Sequence, residues 1–195
     1  VVVVLPCVPA MAMPRFRRIS SASIWARGTT GILRSRAAMT PGLSDFTAVE
    51  TTTASWDLAP VDYADRLARY EAAQANGWPL LVAEIDGTVV GFASYGPFRT
   101  KDGYARTMEH SVYLDAAARG RGLGRALMVE LIERARANGV HALIGGIDGA
   151  NEVSVRLHES LGFAEVGRLP QVGDKFGRWL DLVFLELLLD DAATP

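Results

Sequence analysis

Met108-Glu109-His110-Ser111-Val112-Tyr113-Leu114, followed by Asp115-Ala116-Ala117-Ala118-Arg119-Gly120-Arg121-Gly122-Leu123-Gly124 and the run Arg125 to Asn138, is the stretch that decides the fold. Residues 108–114 alternate and are rich in β-formers, which predicts a strand. Ala116 to Gly124 reads as a short loop. Arg125 to Asn138 sets Leu127, Met128, Leu131, Ile132 and Ala135 on one side, which predicts a helix ended by Asn138-Gly139. Val140–Ile147 is then a strand, and Asn151–Leu161 a helix with Gly162 just past its end. Two strands joined through a helix need a crossover connection, so the strands at 108–114 and 140–147 are expected to pair in parallel.

Outward from this stretch the signals are simpler. Upstream, Val61 to Asn76 carries Tyr63, Leu67, Tyr70 and Ala73 at helical spacing, with Gly77 as a cap and Pro79 as a stop. Leu80–Ile85 and Val89–Tyr95 are apolar runs joined by Asp86-Gly87-Thr88, a tight-hairpin signal. Gly96 to Tyr104 reads as a loop. Downstream, Phe163–Leu169 and Trp179–Leu189 are two further strands separated by a glycine-rich turn region. No repeat and no second domain is visible: one domain is expected over 47–190, with a tail at 191–195.

Residues 1–46 show no clean element and are read as a non-conforming extension, disordered or mis-assigned. Six arginines and no acid fall within 1–38, so the remainder carries -8 in a chain whose net charge is -2. An Arg- and Ser-rich, acid-free opening is similar to an organelle transit segment, while Met39 offers an internal start. Val1–Leu5 is far too short to span a bilayer, so no membrane partner is expected. The overall charge gives no reason to expect nucleic acid. Cys7 is the only cysteine, which excludes an intrachain disulfide and suits a reducing compartment such as the cytoplasm.

The turn before the helix has a chemical reading. A helix start presents unpaired N–H groups and partial positive charge. Glycines let those groups close on a ligand, and Arg119, Arg121 and Arg125 add full charges. Together they form a cradle better matched to a diphosphate than to one carboxylate. A P-loop would need Gly-Lys-Ser/Thr, which is absent, and the dinucleotide spacing G-x-G-x-x-G fails from either Gly120 or Gly122.

What does match is Arg119-x-x-Gly122-x-Gly124, which resembles the CoA-pyrophosphate motif of the GCN5-related N-acetyltransferases. Further motifs, Glu109–Leu114, Leu157-His158-Glu159-x-Leu161-Gly162-Phe163 and Lys175-Phe176-Gly177-Arg178-Trp179, resemble the phosphinothricin and methionine sulfoximine/sulfone acetyltransferases. The likeness covers roughly 48–187; the strand and helix with which that family opens are not evident in 1–46. It implies an α/β (α+β) fold with a mixed, largely antiparallel central sheet, helices on both faces, and a splayed strand pair at the CoA site.

The resemblance also implies chemistry. Acetyl-CoA is the cosubstrate and no metal is called for. Arg119, Gly120, Arg121, Gly122, Leu123, Gly124 and Arg125 would hold its pyrophosphate. The backbone of Val112, Tyr113 and Leu114 would pair with the pantetheine arm, with Asn151 and Ser154 nearby and a β-bulge opening the site. Glu109, among apolar neighbours that lift its pKa, is the candidate base. His158, which with Asn151 and Ser154 occupies positions i+7, i and i+3 of one helical face, is either a proton donor or a partner for Glu109. His110 alternates to the other strand face and reads as structural. Arg99, Tyr104, Arg106 and Lys175 are the candidate substrate contacts, with Phe98, Trp179 and Arg178 beside them, in a pocket the family assembles near a homodimer interface. The expected substrate is a small amino-acid-like amine; a protein or peptide acetyltransferase and a non-catalytic acyl-CoA-binding domain are the rival readings.

Overall fold

The computed structural model describes residues 2–5 and 44–191. Its strands are β1 (Val2–Leu5), β2 (Leu80–Ile85), β3 (Thr88–Pro97), β4 (Thr107–Leu114), β5 (Ala142–Asp148), β6 (Ala164–Lys175) and β7 (Arg178–Leu188). Its helices are α1 (Ser44–Thr51), α2 (Tyr63–Ala75), α3 (Leu123–Ala137) and α4 (Glu152–Glu159), with short 3-10 turns at Asp102–Tyr104 and Ala116–Ala118. One seven-stranded sheet runs in the order β1-β2-β3-β4-β5-β7-β6. Every neighbouring pair is antiparallel except β4 and β5. That one parallel pair is the consequence of the α3 crossover.

Hydrophobic patterning explains the packing. Leu127, Met128, Leu131 and Ala135 of α3 are fully buried against Leu81, Ala83, Ala93, Leu143, Val183 and Leu185 of the sheet. Asp86 and Gly87 both have positive φ (49° and 82°), as a two-residue hairpin turn with right-handed strand twist requires. α2 has no buried residue; its N-cap Asp62 accepts from the Asp65 N–H.

Three expectations need correction. The opening valines form β1, pairing with β2 from Val2↔Ala83 to Leu5↔Leu80, and α1 begins at Ser44. β-branched side chains suit an edge strand, but a run this short, followed by Pro6, carries little sequence signal. The intervening residues 6–43, with all six arginines, lie outside the described residues, as do 1 and 192–195. Second, the glycine-rich region after Leu169 is strand: β6 continues to Lys175, with register shifts at Glu165/Gly167 and Leu169/Gly173, and the turn is only Phe176-Gly177. Bulges absorb the residues that read as a loop. Third, β4 carries no bulge. Its register with β3 is continuous from Gly91↔Leu114 to Pro97↔Met108.

Candidate functional site

The opening in the sheet has a different origin. Pairing of β4 with β5 stops after Thr107↔Ala142, Met108↔Leu143 and Glu109↔Ile144, although both strands continue. Beyond that rung they part. Val112, Tyr113 and Leu114 remain paired to Ala93, Phe92 and Gly91 of β3, and their other edge faces the fork. A fork of this kind offers strand-edge backbone to an extended ligand, the geometry of strand addition.

At the mouth of the fork stands the glycine turn. Gly120 and Gly122 have φ of 71° and 77°, and a Cβ at either would meet nothing within 4 Å. Gly122 precedes α3 in a left-handed conformation and makes no side-chain cap bond. The first backbone bond of the helix is Ala126 N–H to Gly122 O, at 3.0 Å. The N–H groups just before it therefore have no intrahelical acceptor and point off the helix end. Gly124 serves packing: a Cβ there would lie 3.2 Å from Leu114 Cδ1 and 3.5 Å from Leu157 Cδ2. Leu123 is half-buried beside it.

The three arginines are not equivalent. Arg119 and Arg121 are exposed at the turn, with the Arg119 Nε 3.4 Å from the Leu114 carbonyl. Arg125 instead donates to the Ser160 hydroxyl at 2.8 Å, tying α3 to the end of α4. Asn151 is the N-cap of α4, its Oδ1 accepting from the Ser154 N–H at 3.2 Å. Cap and backbone thus position Ser154, whose carbonyl in turn accepts from His158 Nδ1 at 2.7 Å.

Two side chains flank the last paired rung on opposite faces of β4. Glu109 is half-exposed and lies 3.9 Å from the Arg99 guanidinium. Burial pushes its pKa above the ordinary carboxylate value, and the Arg99 charge opposes the rise. His110 is buried, with Nδ1 donating to the Ile144 carbonyl at 2.7 Å and Nε2 2.8 Å from His158 Nε2. Burial drives both rings toward the neutral form; the His158 charge further disfavours a charged His110, while the Ser154 carbonyl partly offsets burial at His158. His158 is therefore not a partner of Glu109: the strand separates them.

Sequence reading missed what makes room for both. Gly145 and Gly146 are consecutive in β5. A Cβ on Gly145 would lie 2.7 Å from His110 Cε1, and one on Gly146 would lie 3.2 Å from Glu109 Oε1. Two adjacent glycines inside a strand are the available signal, because they mark close approach on both faces.

The predicted substrate contacts divide. Arg99 is beside Glu109 and lies over the Phe98 ring, which makes edge contacts with Tyr104 and Phe184. Arg106 is elsewhere, paired with Asp190 at 2.8 Å and bonded to the Gly139 carbonyl. Lys175 is buried, donating to the Ser55 carbonyl at 2.5 Å, with burial lowering its pKa. That bond anchors the loop after α1, which also rests Trp56 on Gly173 and joins Thr53 to Asp148. Arg106 and Lys175 therefore act as structural ties in this arrangement. Among the described residues no group of three or more His, Cys, Asp or Glu gathers as for a metal, and no helix is long and apolar enough to cross a membrane.

Comparison with known proteins gives a consistent result. Residues 45–163 match the profile described as the acetyltransferase (GNAT) family. The L-methionine sulfoximine/L-methionine sulfone acetyltransferase of Salmonella typhimurium is 51% identical over 148 residues, covering 76% of this chain and 86% of that protein. The phosphinothricin N-acetyltransferase of Alcaligenes faecalis is 39% identical over 147 residues, with 75% of each chain covered. A GNAT superfamily phosphinothricin acetyltransferase from Sinorhizobium meliloti, solved in complex with acetyl-CoA, superposes with a TM-score of 0.75 at 34% identity, covering 83% and 85% of the two chains.

Proposed function

Because the chain belongs to the GNAT acetyltransferase family, we propose that it moves an acetyl group from acetyl-CoA to the amine of a small amino-acid-like substrate. Methionine sulfoximine, methionine sulfone and phosphinothricin are the substrate types its relatives name. The observation that carries this reading is the alignment of an open helix start with a strand fork whose last rung bears Glu109. The residues fit the cosubstrate: the N–H groups around Gly120 to Gly124, with Arg119 and Arg121, suit a pyrophosphate, and the edge of Val112–Leu114 that faces the fork suits the pantetheine amides. Bound there, acetyl-CoA supplies the activated thioester carbonyl. A strand-edge N–H at the fork serves as donor to its oxygen.

Glu109 takes a proton from the substrate ammonium, directly or through water, and frees the nitrogen lone pair for attack. Its raised pKa makes it a better base than an ordinary surface carboxylate. Arg99, Tyr104 and Phe98 shape the substrate side, with Arg99 available to an anionic substrate group. His158 is assigned the thiol end of the transfer, donating to sulfur as the carbon–sulfur bond breaks. A cytoplasmic homodimer is the finer expectation: β6 and the turn after it expose Val166, Leu169, Val172 and Phe176, and Trp179 follows.

The test is thiol release from acetyl-CoA with methionine sulfoximine, methionine sulfone, phosphinothricin and a panel of peptides. Turnover of the small amines is expected. Activity on peptides alone would reverse the assignment.

A further inference from the structure

His110 reads as structural from its place in the strand, yet its contacts set a problem in proton count. A carbonyl oxygen only accepts, so the 2.7 Å contacts to Ile144 O and Ser154 O require a hydrogen on Nδ1 of both His110 and His158. The two Nε2 atoms then face each other at 2.8 Å. If both rings were neutral, both Nε2 atoms would present lone pairs, and the contact would be repulsive. Moving one proton from Nδ1 to Nε2 only shifts the repulsion to a carbonyl. All three contacts are satisfied together only when the pair holds one proton more than two neutral imidazoles.

We propose that His110 and His158 share a single proton between their Nε2 atoms, and that His110 is thereby a positioning residue for acetyl transfer, acting through His158. The pair stands where β4 and β5 part, since His110 follows the last paired residue of its strand and bonds the carbonyl of the last paired residue of the other. Gly145 leaves space for the ring, and Phe163 closes the cluster at 5.4 Å from His110 and 5.2 Å from His158. The role rests on the acetyl-transfer reading, whereas the proton count does not.

The charges around the pair decide whether a cation can persist there. Burial opposes it. Among the described residues no carboxylate contacts either ring: Glu109 is on the opposite face of β4, and Glu186, in register with Ile144, lies on that same far face. Asp148 of β5 is engaged by Thr53 and the Ala150 N–H. On α4, Glu152 pairs with Arg156 and Glu159 is exposed; on α3, Glu130 pairs with Arg134. What favours the cation is the two carbonyl acceptors and the C-terminal turn of α4, where His158 sits at the negative end of the helix dipole. The shared proton is then held by hydrogen bonds and a dipole, with no counter-ion among the described residues.

In turnover the balance closes. The substrate ammonium gives one proton to Glu109. After the carbon–nitrogen bond forms and the carbon–sulfur bond breaks, the thiolate takes the shared proton. The attacking nitrogen loses its second proton to solvent as the amide forms, solvent returns one proton to the pair, and Glu109 releases its own. The pair titrates as one unit, so the limb it contributes falls as pH rises through its common pKa.

Nitrogen-edited NMR of the full chain reads the count directly. Three ring N–H protons over the two imidazoles, titrating together, are expected at the pH of turnover; two, with both Nε2 atoms bare, would overturn the proposal. His110→Gln supplies the second readout, because its amide can donate to a neutral His158 without a third proton. Its alkaline limb in kcat should shift by about one pH unit, equivalent to roughly tenfold, with the KM for acetyl-CoA unchanged as evidence of an intact fork. A profile superimposable on the parent's would also overturn the proposal. If no amine is turned over by the parent protein, the acetyl-transfer reading fails, and the NMR count still decides the shared proton.

Discussion

The two faces of β4 at the fork use the same physical effect for opposite ends. On one face Glu109 is half-exposed, beside a cation, and burial makes it hold its proton more tightly than an ordinary carboxylate. On the other, burial makes His110 and His158 hold protons less tightly. Desolvation disfavours charge on either side, so it makes an acid weaker and a base weaker at once. One residue of alternation in a strand, with a pair of glycines behind it, is enough to place the two chemistries a few ångströms apart and keep them separate.

The sharpest way to break this comparison is to remove the wet side's carboxylate. Glu109→Gln keeps shape and hydrogen-bonding capacity but cannot accept a proton. The rate with a small amine should fall about 10²–10⁴-fold, the usual span for a general base, while acetyl-CoA binding measured by calorimetry stays near the parent value. Unchanged turnover would remove Glu109 from the mechanism. Replacing Arg121 by Ala acts outside both faces, on the cradle alone. Charge-assisted bonds are worth ~1.5–3 kcal/mol, and exposure puts this one at the lower end, so about a tenfold weaker Kd for CoA is expected with the Glu109 pH limb unmoved.

The glycines test the faces against each other. Gly145→Ala sets a methyl 2.7 Å from a ring fixed by two bonds, whereas Gly146→Ala meets the free end of Glu109 at 3.2 Å. Overpacking of a fixed group costs ~1–3 kcal/mol. Denaturant midpoints should therefore drop clearly for Gly145→Ala and much less for Gly146→Ala, whose effect should appear in the rate. Equal losses of stability would mean that both faces are packed alike.

How far the sequence reveals this site depends on how local each signal is. The cradle is legible because a glycine turn between a strand and a helix is a contiguous pattern, and the parallel pair follows from the crossover alone. The hairpin at Asp86-Gly87 is legible for the same reason, being set by backbone conformation over two residues. The His110–His158 contact joins residues 48 apart, and its tautomers are fixed by the carbonyls of Ile144 and Ser154, which no residue type announces. The reassignment of Arg106, Arg125 and Lys175 has the same origin. A cation near a motif reads as a ligand contact until the fold supplies Asp190, Ser160 and Ser55. β1 is hidden by length, since four residues give periodicity nothing to work on.

The mildest perturbation separates burial from charge on the wet side. Arg99 opposes the desolvation that raises the Glu109 pKa, so removing it should raise that pKa further. A base must be ionised to act, so the acidic limb of kcat/KM in Arg99→Ala should move to higher pH. The two side chains are 51% and 41% exposed at 3.9 Å. Solvent screens such a pair to about 0–1 kcal/mol, which limits the move to roughly half a pH unit. Added salt should shift the parent's limb in the same direction and leave the variant's in place, because ions can screen only a charge that is present. A variant whose limb moved to lower pH would show that Arg99 does not act on Glu109 as a charge. Because Arg99 is also a candidate substrate contact, the KM for the amine should rise independently of pH, and the two effects separate in kcat/KM measured across the limb.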